Sequence, residues 1–163
     1  MLSTQSGESQ SPISIHVSVR NQQLDLLEGG RVVASYPIST SKFGLGSEPG
    51  SYKTPVGRFL IEKKFGDGAP PWAVFKSREA TGDLAVEGGD EDAILSRILW
   101  LGGKEPHNAN TRERYIYIHG TNQESLIGSP ASHGCVRMRN ADIIDLYDRV
   151  SPGTEVVIHA DLE

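Results

Sequence analysis

The stretch "ISIHVSVRNQQLDLLEGGRVVASYPI", residues 13–38, decides the fold class. Ile15, Val17 and Val19 fall on one face, and Ser14, His16, Ser18 and Arg20 on the other. A period of two marks a half-buried strand and not a helix. Asn21-Gln22 turns the chain into a second strand over residues 23–27. Glu28-Gly29-Gly30-Arg31 then forms a hairpin turn into a third, over residues 32–38. The expectation is an N-terminal β-meander.

Outward from that meander the composition agrees. The 163 residues suit one domain with its own core. Eighteen glycines and nine prolines favour short strands and many turns over a helical bundle. With 37% hydrophobic and 23% charged residues the chain reads as globular, not disordered. The net charge is −5 and no Lys/Arg block is present, which argues against a nucleic-acid surface. No apolar run approaches the roughly 20 residues of a membrane-spanning helix.

Residues 1–12, rich in Ser and Gln, read as a flexible leader, and 161–163 as a tail. The leader lacks the charged and apolar regions of a secretory signal. Residues 39–57 form a Gly/Pro/Ser-rich loop, and residues 58–63 a strand. Residues 64–90 hold irregular strands, and 92–99 a short helix starting near Asp90 or Asp92. The whole of 64–112 is a candidate lid. For Trp72 and Trp100 the expectation is core packing, with packing in the lid as the alternative. Residues 115–119 alternate toward a strand ending at His119. A helix follows over 140–150, with Asn140 as N-cap and Ile143, Leu146 or Tyr147, and Val150 as its apolar stripe. Ser151-Pro152-Gly153 stops it, and residues 154–159 close the fold as a strand.

The only cysteine lies in "SHGCVRM", residues 132–138. Three readings compete: an inert buried thiol, a metal ligand, or a nucleophile. A free thiol has a pKa of about 8.5, so a nucleophile needs a base beside it. His119, sixteen residues upstream at a strand end, is reachable across a loop. His133 shares a face with Cys135 but is too near along an extended backbone to be the obvious base. Gly134 permits a tight turn that brings amides near a substrate carbonyl. Such donors are worth about 2.7–4 kcal/mol each. The Arg137 guanidinium suits a substrate carboxylate. For zinc, His107, His119, His133 and Cys135 are available, but their spacing matches no standard finger or ribbon. His16 is expected at the solvent face of its strand, His159 in a structural role, and His107 in a polar loop. Arg112 and Arg114 flank the strand ending at His119.

The stretch "IHGTNQESLIGSPASHGCVRM", residues 118–138, resembles the signature of the L,D-transpeptidase catalytic domain, or YkuD, family. That signature is His-Gly, a loop, Ser/Thr-His-Gly-Cys, an apolar residue, then Asn or Arg. "YKTPVGRF", residues 52–59, is similar to the family's Thr-Pro-x-Gly turn. "ILWLGG", residues 98–103, is similar to its segment before the active-site strand. The resemblance covers residues 13–160.

The resemblance implies a mainly β fold, a β-sandwich of mixed sheets with one or two short helices. It implies Cys135 as nucleophile and His119 as general base, oriented by the Gly120 carbonyl. Amides near His133, Gly134 and Cys135 would hold the oxyanion. Ser132 and His133 would shape the pocket, and Arg137 would meet a substrate carboxylate. The implied partners are peptidoglycan stem peptides, a tetrapeptide donor and an amine acceptor, with carbapenem-type inhibitors. Thioester transfer to an amine gives 3→3 cross-links, and exchange of the terminal D-Ala uses the same intermediate. No metal or organic cofactor is implied. The alternatives are an L,D-carboxypeptidase or amidase on the same fold, and a non-catalytic cell-wall-binding module. The cell envelope is the expected location from the resemblance, with a shortened chain or a cytoplasmic form as alternatives.

Overall fold

The computed structural model describes residues 11–89 and 91–160. The expected leader, apart from Ser11 and Pro12, and the expected tail lie outside the described residues. The meander is present as β1 (Ile13–Ser18), β2 (Gln23–Glu28) and β3 (Arg31–Ser39). Gly29 and Gly30 have φ of +60° and +83°. Two successive positive φ values are what a tight two-residue hairpin needs to follow the right-handed twist of its strands.

The remaining elements are β4 (Gly57–Phe65), β5 (Ala73–Lys76), β6 (Glu79–Leu84), β7 (Ile94–Gly103), β8 (Tyr117–Gly120), β9 (Val136–Met138), α1 (Asn140–Tyr147) and β10 (Glu155–His159). Short 3-10 turns occupy Pro106–Asn108 and Glu124–Leu126. The strands join in the order β4-β10-β1-β2-β3-β9-β8-β7, and β7 pairs back onto β4. The mainly β fold with one short helix is therefore present, and the walls of the expected sandwich are opposite sides of one closed sheet. Closure leaves no free edge in this circuit. Strands β5 and β6 hang from β7 beyond its contact with β4.

Inside the closed sheet lies a core that includes Ile15, Leu24, Ile38, Phe59, Leu99 and Ile118. Helix α1 adds Ile143, Leu146 and Tyr147, with Val150 just beyond it. That is the apolar stripe its sequence spacing predicts. A second cluster, with Ala73, Phe75, Ile98, Trp100 and Tyr117, lies on the other face of β7. Cys135 packs against this second cluster.

Three local expectations are corrected. Residues 94–99 are strand, not helix. Strand β7 is covered on both faces, Leu99 and Leu101 on one side and Ile98 and Trp100 on the other. A doubly covered strand is apolar throughout and loses its alternation. Asn140 is the first helical residue and Arg139 the N-cap position. The Asn140 side chain instead donates to Thr121 O and Glu124 Oε2, both at 2.8 Å, and accepts from Ser96 Oγ at 2.6 Å. Glu124 also accepts from the Asn140 amide at 2.8 Å. A carboxylate thus caps the helix N-terminus from a neighbouring turn. The candidate lid over 64–112 contains β7, one of the strands that closes the core, so it is not one loop.

Candidate active site

Strands β8 and β9 run parallel, with Ile118 opposite Val136 and His119 opposite Arg137. Paired residues of parallel strands point to the same face, and alternate residues share it. Tyr117 and His119 therefore share a face with Cys135 and Arg137. Ile118, Val136 and Met138 point the other way, into the core. One register thus puts the thiol and the imidazole on the same face of adjacent strands, two positions apart along the ladder.

The imidazole is fully oriented. His119 Nδ1 lies 2.6 Å from the Gly120 carbonyl, in a buried setting. A carbonyl only accepts, so Nδ1 carries the proton and Nε2 carries the lone pair. Burial pushes the His119 pKa down; Asp92 and the Gly120 carbonyl oppose this, and the Arg137 charge adds to it. The Cys135 sulfur accepts from the Tyr117 amide at 3.2 Å. Burial pushes this thiol up to about 12, despite that hydrogen bond and the charges of Arg114 and Arg137. Both shifts favour the neutral thiol–imidazole pair over the ion pair.

The turn before Cys135 is built from below. Ser132 Oγ donates to Cys135 O at 2.7 Å and accepts from the Gly134 amide at 3.2 Å. Thr54 Oγ1 donates to Gly134 O at 3.0 Å and accepts from the Ser41 amide at 3.0 Å. The "TPVG" loop thereby grips the turn. Gly134 has φ +121°, in the region that disfavours a side chain. Of the amides expected to hold an oxyanion, that of Gly134 is already engaged by Ser132.

Cys135 opens into a cleft of about 280 Å³ lined by Tyr52, Arg114, Tyr115 and His133 among others. Tyr52 and Tyr115 are both more than half exposed. His133 stands edge-on to Tyr52, with ring centres 5.5 Å apart, and touches Phe43 at 5.7 Å. His133 thus lines the cleft. Ser132 and Arg137 do not line it. They are 0% and 1% exposed, and their partners are within the protein. Arg137 Nη1 donates to Asp92 Oδ1 at 3.1 Å and Gln123 Oε1 at 2.7 Å.

Asp92 is the residue that sequence reasoning missed. Its other oxygen, Oδ2, lies 3.2 Å from His133 Nδ1. One carboxylate therefore links a buried guanidinium to a pocket imidazole. Burial opposes its ionisation, but His119, Arg137 and the hydrogen bonds from His133 and Arg137 outweigh this and hold it below the usual carboxylate range. Asp92 precedes β7, 41 and 45 residues from its two partners, and no local pattern marks it.

The remaining histidines fall outside the site. His107 Nε2 lies 3.0 Å from Val56 O, and the His16 and His159 rings stand 5.7 Å apart on the far strands β1 and β10. No group of three or more His, Cys, Asp and Glu among the described residues is arranged to hold a metal ion. Trp100 is a core residue whose Nε1 donates to Arg112 O at 3.1 Å. Arg114 donates to Gly46 O and Lys53 O, bracing the loop at the cleft edge.

The structure thus places a cysteine and a histidine on one face of a closed β-sheet. The chain belongs to the L,D-transpeptidase catalytic domain family, whose family model matches residues 12–158. Among relatives named L,D-transpeptidases, YkuD of Bacillus licheniformis is 29% identical over 147 residues, covering 90% of this chain and 66% of that protein. YqjB of Bacillus subtilis is 30% identical over 146 residues, covering 89% of this chain and 70% of that protein. The chain thus spans about two thirds of their length. An L,D-transpeptidase from Xylanimonas cellulosilytica superposes with a TM-score of 0.62 at 23% identity, covering 92% of this chain and 61% of that one. L,D-transpeptidase 3 of Mycobacterium tuberculosis does so with a TM-score of 0.60 at 16% identity, covering 91% and 60%.

Proposed function

We propose that this protein is a cysteine L,D-transpeptidase acting on peptidoglycan stem peptides in the cell envelope. The observation that carries the reading is the β8–β9 register, which puts Cys135 on one face with an imidazole whose Nδ1–H is donated to Gly120 O. In the resting state thiol and imidazole are both neutral. As Sγ attacks the carbonyl of the third stem residue, its proton moves to His119 Nε2. The carbonyl oxygen gains the electron pair and is held by the amides of His133 and Cys135. Collapse breaks the peptide bond, and the imidazolium gives its proton to the departing D-Ala amine. The thioester then passes to an acceptor amine, which loses a proton to His119 and forms the 3→3 cross-link. Free D-amino acid in place of the acceptor gives exchange. Transfer to water gives hydrolysis on the same intermediate.

Ser132 acts from beneath, fixing the turn, and Arg137 acts through Asp92. β-Lactam acylation of Cys135 is proposed on the same grounds, and is supported by the M. tuberculosis neighbour, solved with a faropenem-derived adduct. Incubation with disaccharide-tetrapeptide and mass spectrometry tests the reading. Cross-linked dimers that vanish in Cys135→Ala support transpeptidation. Tripeptide monomers alone mean a carboxypeptidase. No product and no β-lactam adduct mean a binding module.

A further inference from the structure

The loop joining β5 to β6 has two residues, Ser77 and Arg78, between the paired Lys76 and Glu79. Their φ values are +50° and +67°. This geometry belongs to Asn and Gly, which adopt it readily. An arginine here is conformationally costly, and its side chain has a defined place. The guanidinium lies 4.6 Å from the centre of the Trp100 ring and 5.5 Å from that of Tyr115. Its Nη1 donates to the Tyr117 hydroxyl at 3.1 Å.

A second guanidinium shares the same indole: that of Arg112 lies 5.2 Å from the Trp100 ring centre. Two cations thus lie against one aromatic ring, and among the described residues neither has a carboxylate partner within ion-pair distance. Two guanidinium groups without a counter-ion make the local potential positive, which attracts an anion. Their position relative to the chemistry is fixed by two tyrosines. Tyr115 lines the Cys135 cleft and touches Arg78. Tyr117 bonds Arg78 through its hydroxyl and Cys135 through its amide. Arg137, the residue expected to read a carboxylate, is enclosed with Asp92 and Gln123. Arg114 also lines the cleft, but its two terminal nitrogens donate to Gly46 O and Lys53 O. The planar fork of Arg78, stacked on Trp100 and bonded only to the Tyr117 hydroxyl, keeps its remaining donors for a carboxylate.

The geometry points to Arg78, with Arg112, as a carboxylate-binding subsite beside Cys135 that orients an anionic stem peptide for attack. The inference rests on the acyl-transfer reading of Cys135 for its biological meaning, but the subsite is testable without it. Cys135 is the only cysteine, so its alkylation by iodoacetate and by the neutral iodoacetamide is read at one position by mass. At fixed pH, Arg78→Gln and Arg112→Gln are expected to slow iodoacetate at least fivefold relative to iodoacetamide, and 0.5 M salt to do the same to wild type. An unchanged ratio in both variants overturns the subsite. Equal slowing of both reagents, with a fallen melting temperature, also overturns it, since that is what a purely structural arginine gives.

The second arm uses tetrapeptide donors amidated either at the terminal D-residue or at the free carboxyl of the diamino acid. The carboxylate read by Arg78 is the one whose amidation raises KM in wild type but not in Arg78→Gln. If no donor reacts with wild type while the alkylation ratio responds, the transpeptidase reading fails and the subsite stands. If donors react and neither amidation nor Arg78→Gln alters KM, the subsite fails alone.

Discussion

Replacing Arg137 by Met is expected to be severe, and its severity to depend on Asp92. The guanidinium is 1% exposed and the carboxylate 22%, and they meet at 3.1 Å. Removing one partner of a buried pair costs about 3–5 kcal/mol because the other charge is left without compensation. Asp92 keeps some exposure and its bond to His133, so the lower end applies, about 3 kcal/mol. For a chain of this size that lowers the melting temperature by about 6–12 °C. The deficit carries a pH signature. In the wild type the Asp92 carboxyl is held below its usual range, so its contribution is present above the unfolded value of about 3.9 and lost as pH falls through the folded value. Without Arg137, two of the causes that hold the carboxyl down are lost and its folded value rises. The ionised carboxylate then contributes less stability than in wild type, so the deficit is largest at pH 7 and shrinks as pH falls through the variant's folded value. Adding Asp92→Asn removes the stranded charge and is expected to restore about 2 kcal/mol at pH 7. Urea unfolding of both variants at pH 7 and 4.5 measures this. A single variant within about 1 kcal/mol of wild type at pH 7, or a double variant no more stable than the single, refutes the reasoning.

Gly134→Ala places a Cβ at φ +121° and 3.3 Å from Lys53 O, costing about 1–3 kcal/mol; a lower melting temperature with slowed β-lactam acylation is expected, and normal acylation would contradict the role of the turn. Lys64→Met removes a cation that donates to Tyr147 O at 2.8 Å and Val150 O at 2.7 Å, at the end of α1. The expected loss is about 1–2 kcal/mol, seen as a lower urea midpoint. With the thiol pushed up to about 12, iodoacetamide alkylation of Cys135 should climb steadily from pH 8 to 10, and a plateau below pH 9 would mean a resting thiolate. His119→Ala should slow β-lactam acylation about 10²–10⁴-fold at pH 7, because the base is lost; a loss under threefold would move the base elsewhere.

The sequence by itself determined the meander, because β1 to β3 have one covered face and alternation survives. It determined the stripe of α1, and it singled out Cys135, His119, Gly120, His133 and Gly134 as neighbours in one motif. It misread β7 because a strand buried on both faces carries no period. It placed Ser132 and Arg137 at the substrate because a motif carries residue order but not exposure. Only the tertiary structure decided which cation stays reachable: Arg137 is enclosed by Asp92, while Arg78 arrives from a distant hairpin onto Trp100. Asp92 was equally invisible, since the interaction that defines it spans more than forty residues and closes only when β7 pairs with β8. Local pattern records which face of an element is covered. Long-range pairing decides which charges meet and which groups are buried, and burial is the larger influence on the thiol.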